Sequence, residues 1–537
     1  MNFASWKPAT GFKGFKENWK SDLLSGFLVS LIALPLSLGI AGASNFPPVM
    51  GVLTAIVGGI VVSFFTNSEM TIKGPAAGLI VIAAAAVDEL GRGDIILGWH
   101  LALGSIFVAG LLQMVIGALR LPKFADFFPL SVVHGMLAAI GIIIMSKQIH
   151  LAVGIAPSEL KGKGPIALLE MVPHSLFHME YHIAIIGLVG LMIMFGWKYL
   201  SFSVFKKMPP ALVVLIVTIL LGRLFHLFEP AYREFKPLIN PGEFGLALNV
   251  SFAGMTGDLV PVFIKYVVMF LLVGSLESLL TVKAIDLLDP YKRKSDISRD
   301  VEAVGAGNVI SGLLGGLPMI SEIVRSSANI QNGGRTRWAN LFHGIFLLIF
   351  VVALAPVIKM VPVAALAAML IFLGFRLASP NEFRHIYHIG KEQLIIFLVT
   401  IAATLSTDLL IGIAAGIVTK IIIQLFYGVK VSHIFSPKIE IYAENDVYYV
   451  FVTRSAVFTN YLTLKGKLEK IPQRKNIRVD FSEAPYVDHT VMENITRFKN
   501  DYEQAGGKME LMGFENYQKL SDHPLAARKN QRLTVIG

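Results

Sequence analysis

Long apolar runs separated by short basic clusters set the limit on what this chain can fold into. Runs such as 22–44, 46–65 and 98–119 carry few charges and are long enough to cross about 30 Å of hydrocarbon as helices. With 54% hydrophobic and only 16% charged residues in 537, polar surface is too scarce to wet a soluble body, so the chain is a membrane protein. Cysteine is absent, which excludes disulfides, thiolate catalysis and Cys-bound zinc. The net charge of +10 falls between the apolar runs, which is the positive-inside pattern and not a nucleic-acid surface.

Residues 1–21, with Lys7, Lys13, Lys16 and Lys20, read as a cytoplasmic N-terminal segment. The run that follows lacks a small-residue cleavage site, so it is a retained span and not a signal peptide. Pro35 is expected to break it, with Ser37 standing in for lost helix bonds. Further spans are expected at 46–65, a short helix opened by Gly74 and Pro75, 98–119, 127–145, 183–200 and 209–228. After a more polar stretch, 229–249, a second series covers 259–285, 299–315, a short helix opened by Pro318, 338–357, 362–377, 394–406 and 409–427. With the N-terminus inside, alternate crossing places Arg120 with Lys123, Lys198 with Lys206 and Lys207, Lys292 to Lys294, Arg335 with Arg337, and Arg384 with Lys391 on the cytoplasmic side; the mildly basic segment 147–163 dissents.

The spacing from Pro75 to Pro318 equals that from Pro35 to Glu277 within one residue. An odd number of spans per half inverts the second copy, and paired interrupted helices in inverted repeats place a substrate site near the midplane. The fold class expected is therefore an all-α polytopic membrane protein of about 14 spans in a 7+7 inverted repeat. The transmembrane domain would cover 22–430, with repeats at about 22–228 and 258–430. Beyond it, 437–537 alternates strand and helix patterns: a hairpin turning at Asn445 and Asp446, a helix at 460–470, a strand at 476–481, an amphipathic helix at 489–504 and a strand at 508–512. This is a small α/β domain.

The stretch NVISGLLGGLPMISEIVRSSAN, 308–329, carries the densest chemistry. A helix does not run through Gly315, Gly316, Leu317 and Pro318, but one restarts there, bringing Ser321, Glu322 and Arg325 to its first turns. At membrane depth the new helix's free N–H groups and the Arg325 guanidinium converge on one small volume suited to an anion. The plain alternative is a kinked helix whose arginine pairs internally with Glu322 or Glu277. Glu277 and Thr281 are spaced to share a helix face, and a carboxylate inside a span needs a cation, a proton or Arg325 beside it. Binding Na+ with Thr281, or carrying H+, are the functional readings, and a permanent salt bridge to Arg325 is the structural one.

His174, His178 and His182, with Glu180 nearby, have a spacing that suits zinc, but without a second shell they read as interfacial histidines of an external loop. His385 and His388 read likewise, in a basic cytoplasmic loop. No Walker loop, GxSxG elbow or HExxH motif is present, and Gly305-Ala306-Gly307 lacks the context of a dinucleotide fingerprint, so neither enzymatic chemistry nor ATP-driven pumping is expected.

The motifs DLLSGFLVSLIALPLSLGIA, IKGPAAGL, GSLESLLTVKAID and GNVISGLLGGLPMISEIVRSSANIQNGGRTR resemble those of the SulP anion transporters, the sulfate permease, bicarbonate transporter and prestin-pendrin group. IRVDFSEAPYVDHTVMENI resembles the STAS domain those proteins carry. The resemblance implies core and gate domains, with an anion held between the first, third, eighth and tenth spans. By matching, Ser37 with Pro35, and Ala76 with Ala77, form one wall, Glu277 and Thr281 a second, and Ser321 with Arg325 a third. Leu36 stands where many members have glutamine or glutamate. The Glu277–Thr281 pair is similar to that of sodium-coupled bicarbonate members and Arg325 to the exchanger branch, which leaves Na+ or H+ open. In the STAS-like part Asp488 is followed by His489 and Thr490, not by a phosphorylatable serine, so the domain is expected to serve packing or homodimer assembly.

The reading that results is a secondary active transporter of a small inorganic anion, bicarbonate ahead of sulfate, in the cell membrane with both termini cytoplasmic. It needs no cofactor beyond Na+ as a possible coupling ion, and no nucleic acid. The alternatives are an anion channel or voltage-responsive anion-binding protein, and a signalling receptor built on the STAS-like domain.

Overall fold

A computed structural model describes residues 7–121, 128–199, 208–227 and 247–534, with 229, 232, 235, 237–242 and 244–245 between them. Lys123, Lys206, Lys207 and the side chain of Lys198 lie outside the described residues. The chain forms two compact units, one from Met1–Pro122 and Ile140–Arg376, the other from Lys123–Ala139 and Leu377–Gly537.

The first unit opens with α1 (Gly11–Ala43), a single helix through Pro35. The expected break is absent: an interior proline removes one helix bond and bends the axis, but the bonds on either side carry the helix on. Next come α2 (Pro48–Ile60), strand β1 (Ile72–Pro75), a 3-10 turn (Ala77–Leu79), α3 (Ile80–Gly91) and α4 (Ile95–Ala118). Helix α5 (Leu130–Ala152) begins in the second unit and ends in the first. It is followed by α6 (Pro165–Phe177), α7 (Tyr181–Gly196), α8 (Pro210–Leu224), α9 (Val260–Leu288), α10 (Ile297–Leu314), strand β2 (Met319–Glu322), α11 (Ile323–Gln331), α12 (Trp338–Ala353) and α13 (Val363–Leu377).

Two further segments of the first unit differ from expectation. His174 lies in α6, a helix bent by 117° from α7, where a loop was expected; an apolar turn opened by Pro165 is enough to nucleate it. The membrane unit is also not purely helical, because β1 and β2 pair within it.

Among the described residues, seven helices are long and apolar enough to cross a membrane by length and composition, including α1, α4, α5 and α16 (Leu409–Phe426). Within the first unit, helix backbones approach one another closely. Helix α4 meets α10 where a methyl on Gly110 would sit 2.8 Å from the Gly305 carbonyl oxygen, and one on Gly305 would sit 2.7 Å from the Met114 nitrogen. Small residues are what let helices approach this closely in lipid.

The second unit contains α14 (Pro380–Ile389), where a loop around His385 and His388 was expected, α15 (Lys391–Ser406) and α16. Ser379 caps α14 by accepting from the Glu382 N–H, and Pro380 fixes its first turn, which explains the helix. The C-terminal domain follows, with β3 (Ile439–Glu444), β4 (Val447–Val452), α17 (Tyr461–Leu468), β5 (Asn476–Asp480), β6 (Tyr486–Val487), α18 (His489–Gln504), β7 (Lys508–Met512), β8 (Tyr517–Lys519) and β9 (Arg528–Asn530). Its main sheet runs β3-β4-β5-β7, the hairpin antiparallel and the rest parallel. Asn445 and Asp446 turn the hairpin with φ of 48° and 66°, the left-handed pair that a two-residue turn needs. Val450, Val479, Phe481, Val491 and Ile495 fill its core.

Gly305→Val is expected to destabilise the α4–α10 contact by about 1–3 kcal/mol, the usual penalty of overpacking. A lowered melting temperature of the detergent-solubilised protein is the measurement, and an unchanged melt would refute the close approach.

Candidate anion site at the crossed ribbon

The two interrupted segments meet as a pair of short strands. Ile72, Lys73, Gly74 and Pro75 stand opposite Glu322, Ser321, Ile320 and Met319, and the Ala76 N–H donates to the Pro318 carbonyl at 3.3 Å. Pro75 and Pro318 therefore lie together but do not open their helices. The first helical turn begins at Ala77 on one side and the α-helix at Ile323 on the other. Strand pairing satisfies the backbone groups that a broken helix exposes, which is why the helices start later.

Side chains finish what the strands leave open. Asn308 Oδ1 accepts from the Met319 N–H at 2.6 Å, Thr54 Oγ1 from Leu317 at 2.7 Å, and Ser326 Oγ from Ile72 at 2.9 Å. Asn340 Oδ1 accepts from Lys73 N–H at 3.1 Å and Ser278 Oγ from Ser321 N–H at 3.1 Å.

Arg325 occupies the first turn of α11 and is 0% exposed. Its Nη2 donates to Ser37 Oγ on α1 at 3.1 Å, while Nε and Nη1 have no hydrogen-bond partner. The guanidinium lies over Gly74, where any methyl group would overlap Nη1. Glu322 caps the same turn, accepting from the Arg325 backbone N–H at 2.9 Å. Across the ribbon, the Glu277 carboxylate on α9 lies against Gly78, whose position a methyl group would deny it, and Oε1 has no partner. Among the described residues neither Glu277 nor Glu322 comes within ion-pair distance of the Arg325 guanidinium, and Glu322 attracts it only through space. Thr281 is buried one turn along α9 from Glu277.

The expected residues are thus brought together at one locus. Ser37 touches Arg325, Ala76 and Ala77 form the start of the first helical turn, and Glu277 lies against Gly78 beside them. Ser321 is placed differently. Its hydroxyl accepts from Lys73 Nζ at 2.6 Å and donates to Asp300 Oδ2 at 2.9 Å, which commits it to a neighbouring ion pair. Sequence reasoning missed Lys73, Asp300, Gly78 and His343. The available signal was a lysine and an aspartate inside otherwise apolar segments, Lys73 within the IKGPAAGL motif itself. His343 on α12 is fully buried with both ring nitrogens unpartnered. The three histidines with zinc-like spacing are occupied elsewhere: His174 stacks on His178 at 4.0 Å, and His182 Nδ1 contacts Glu180 at 3.1 Å and the Tyr232 hydroxyl at 2.9 Å.

The family model described as sulfate permease family matches residues 19–400. A putative sulfate transporter of Bacillus subtilis, YvdB, is 24% identical over 518 residues, covering 95% of this chain and 94% of its own. The bicarbonate transporter BicA of Synechocystis is 27% identical over 405 residues, 75% of this chain and 69% of its own. Among solved structures, the transmembrane domain of a cyanobacterial BicA superposes with a TM-score of 0.64 at 24% identity, covering 74% of this chain and 97% of that one. The murine solute carrier 26 member A9 anion transporter gives 0.65 at 15% identity, with 92% and 85% covered.

A buried carboxylate oxygen without a partner is destabilising by about 1–3 kcal/mol. Glu277→Gln is therefore expected to raise the melting temperature of the protein measured without added anion. A lower melting temperature would show that the carboxylate is a structural partner after all.

Proposed function

The chain belongs to the sulfate permease family, and on that premise we propose a secondary active transporter of a small inorganic anion, bicarbonate before sulfate, coupled to Na+ or H+. The observation that carries this reading is Arg325: a fully buried guanidinium with two unpartnered nitrogens, in the first turn of α11 and lying over Gly74. A buried charge of this kind is destabilising by several kcal/mol unless something pairs with it, and intramembrane cations left open in this way serve ligands. Its fork of donors suits a planar or tetrahedral oxyanion.

Charge balance supports coupling. Lys73 is cancelled by Asp300, leaving Arg325 against Glu277 and Glu322. The two helix starts add about half a positive charge each, so the fixed charge is close to zero. A bound anion then leaves a net negative charge in a low dielectric unless a cation arrives with it. Glu277, with Thr281 behind it, is the place for that cation, as Na+ ligands or as a proton acceptor.

We read the architecture as a 7+7 inverted repeat with core and gate elements, and the pairing of the segments at Pro75 and Pro318 in one antiparallel ribbon supports that reading. Residues 437–537 are read as a STAS-like domain in a packing and homodimer role. In support, Asp488 at the start of α18 accepts from Val491, Phe458 and Gln424, and Thr490 accepts from the buried Lys420. The Thr490 hydroxyl is fully buried, out of reach of a modifying enzyme.

Purified protein in liposomes is expected to take up labelled bicarbonate, and more weakly sulfate, with uptake driven by an imposed Na+ or pH gradient. Arg325→Ala is expected to raise KM about tenfold with its melting temperature kept, a loss of 1.4 kcal/mol in binding. Uptake of neither anion, or unchanged kinetics in Arg325→Ala, defeats the reading.

A further inference from the structure

Two fully buried cations, Lys73 on the ribbon and Arg325 on the helix that follows it, differ in how they are satisfied. Lys73 Nζ is surrounded by Asp300 Oδ1 at 2.6 Å, Thr71 Oγ1 at 2.7 Å and Ser321 Oγ at 2.6 Å. An ammonium has three N–H donors, and these three oxygens use all of them. Asp300 is equally committed. Its Oδ1 also accepts from Thr66 Oγ1 at 2.6 Å, and its Oδ2 from Ser321 at 2.9 Å. Arg325, by contrast, keeps Nε and Nη1 open. Lys73 is therefore not an anion ligand, although it is the residue next to Gly74, over which Arg325 lies.

Strand geometry explains the division of labour. Lys73 and Ser321 are register partners, so their side chains leave the same face of the ribbon, while Gly74 meets Arg325 on the other side. The ammonium acts as a tethered cation in an oxygen cage, linking β1 to β2 through Ser321 and both strands to α10 through Asp300. A one-residue slip of β1 would turn Lys73 to the opposite face and leave two buried charges unpaired, and a slip of β2 would turn Ser321 away from both.

We propose that Lys73 and Asp300 are positioning residues of the anion site, locking the β1–β2 register so that both helix starts and Arg325 are preset for the anion. Buried ion pairs seldom add net stability over apolar residues of like size, and their best attested use is to fix register. The pair also fixes it without altering the net charge that the anion meets. This inference rests on the proposed transport reading for its affinity arm only.

The test uses the full-length protein and the double variant Lys73→Met with Asp300→Leu, which removes both charges together and is expected to melt at or above the parent temperature. Amide hydrogen exchange without anion is expected to rise about tenfold at Gly74 to Ala77 and Met319 to Arg325 and to stay unchanged in α4. With bicarbonate or sulfate, KM is expected to rise about tenfold with the maximal rate within about twofold. Ser321→Ala, which keeps the ion pair, is expected to raise KM about threefold. Ribbon exchange unchanged in the double variant overturns the proposal, as does its failure to fold. If ribbon exchange rises while the parent itself takes up neither anion, positioning of the ribbon is upheld and the transport reading is what fails.

Discussion

A backbone N–H or C=O buried away from water must find its partner inside the protein, and everything around the β1–β2 ribbon follows from that constraint. Two segments leave helical geometry there, and each would expose several polar groups. Pairing them as antiparallel strands satisfies most of the groups at once. Asn308, Thr54, Ser326, Asn340 and Ser278, drawn from five different elements, satisfy others. The packing partners of the ribbon are thus specified by hydrogen bonds before any substrate is considered. Glycine at 74 and 78 then admits a guanidinium and a carboxylate to the backbone, which any side chain would keep out.

From that frame the charges sort themselves. A cation with all its donors used is part of the scaffold, and a cation with donors left over is addressed to something else. Lys73 and Arg325 are the two cases, one on β1 and the other in the first turn of the helix that follows β2. Arginine suits the open position because it keeps its charge when buried and presents several donors in one plane. Lysine suits the closed one because a compact ammonium fits a cage of three oxygens.

Much of this was legible beforehand. Gly74-Pro75 and Gly315 to Pro318 marked the interruptions because their backbone chemistry is local, and Glu277 and Arg325 stood out as charges within apolar runs. The amphipathic period of 489–504 and the strand 508–512 matched the observed elements to the residue, since both are governed by side-chain period alone. The ribbon itself was not legible, because strand pairing between residues from opposite halves of the chain leaves no short-range trace. That omission misplaced Ser321: on a helix it shares a face with Arg325, whereas on a strand it shares one with Lys73. Pro35 failed in the other direction, since a proline signals a lost bond but not whether neighbours hold the helix together. Strands β6, β8 and β9, of two or three residues each, are too short for any period to register.

The second unit uses the same device as the ribbon, with a different consequence. Lys420, on α16, is buried against Asp488 at 3.5 Å and Thr490 at 2.7 Å, and Gln424 one turn on donates to Asp488 at 2.9 Å. Asp488 is also the cap of α18. A slide of α16 by one helical turn, about 5.4 Å, would strip Lys420 of its acceptors, unpair Asp488 and uncap α18 together, leaving two buried charges exposed to a low dielectric. Tyr427 stacked on Tyr486 at 5.9 Å and the apolar contacts of Val429 and Ile434 oppose the same motion. The last membrane helix and the C-terminal domain are consequently one mechanical body, so any displacement of α16 carries the β4-β5-β7 sheet with it.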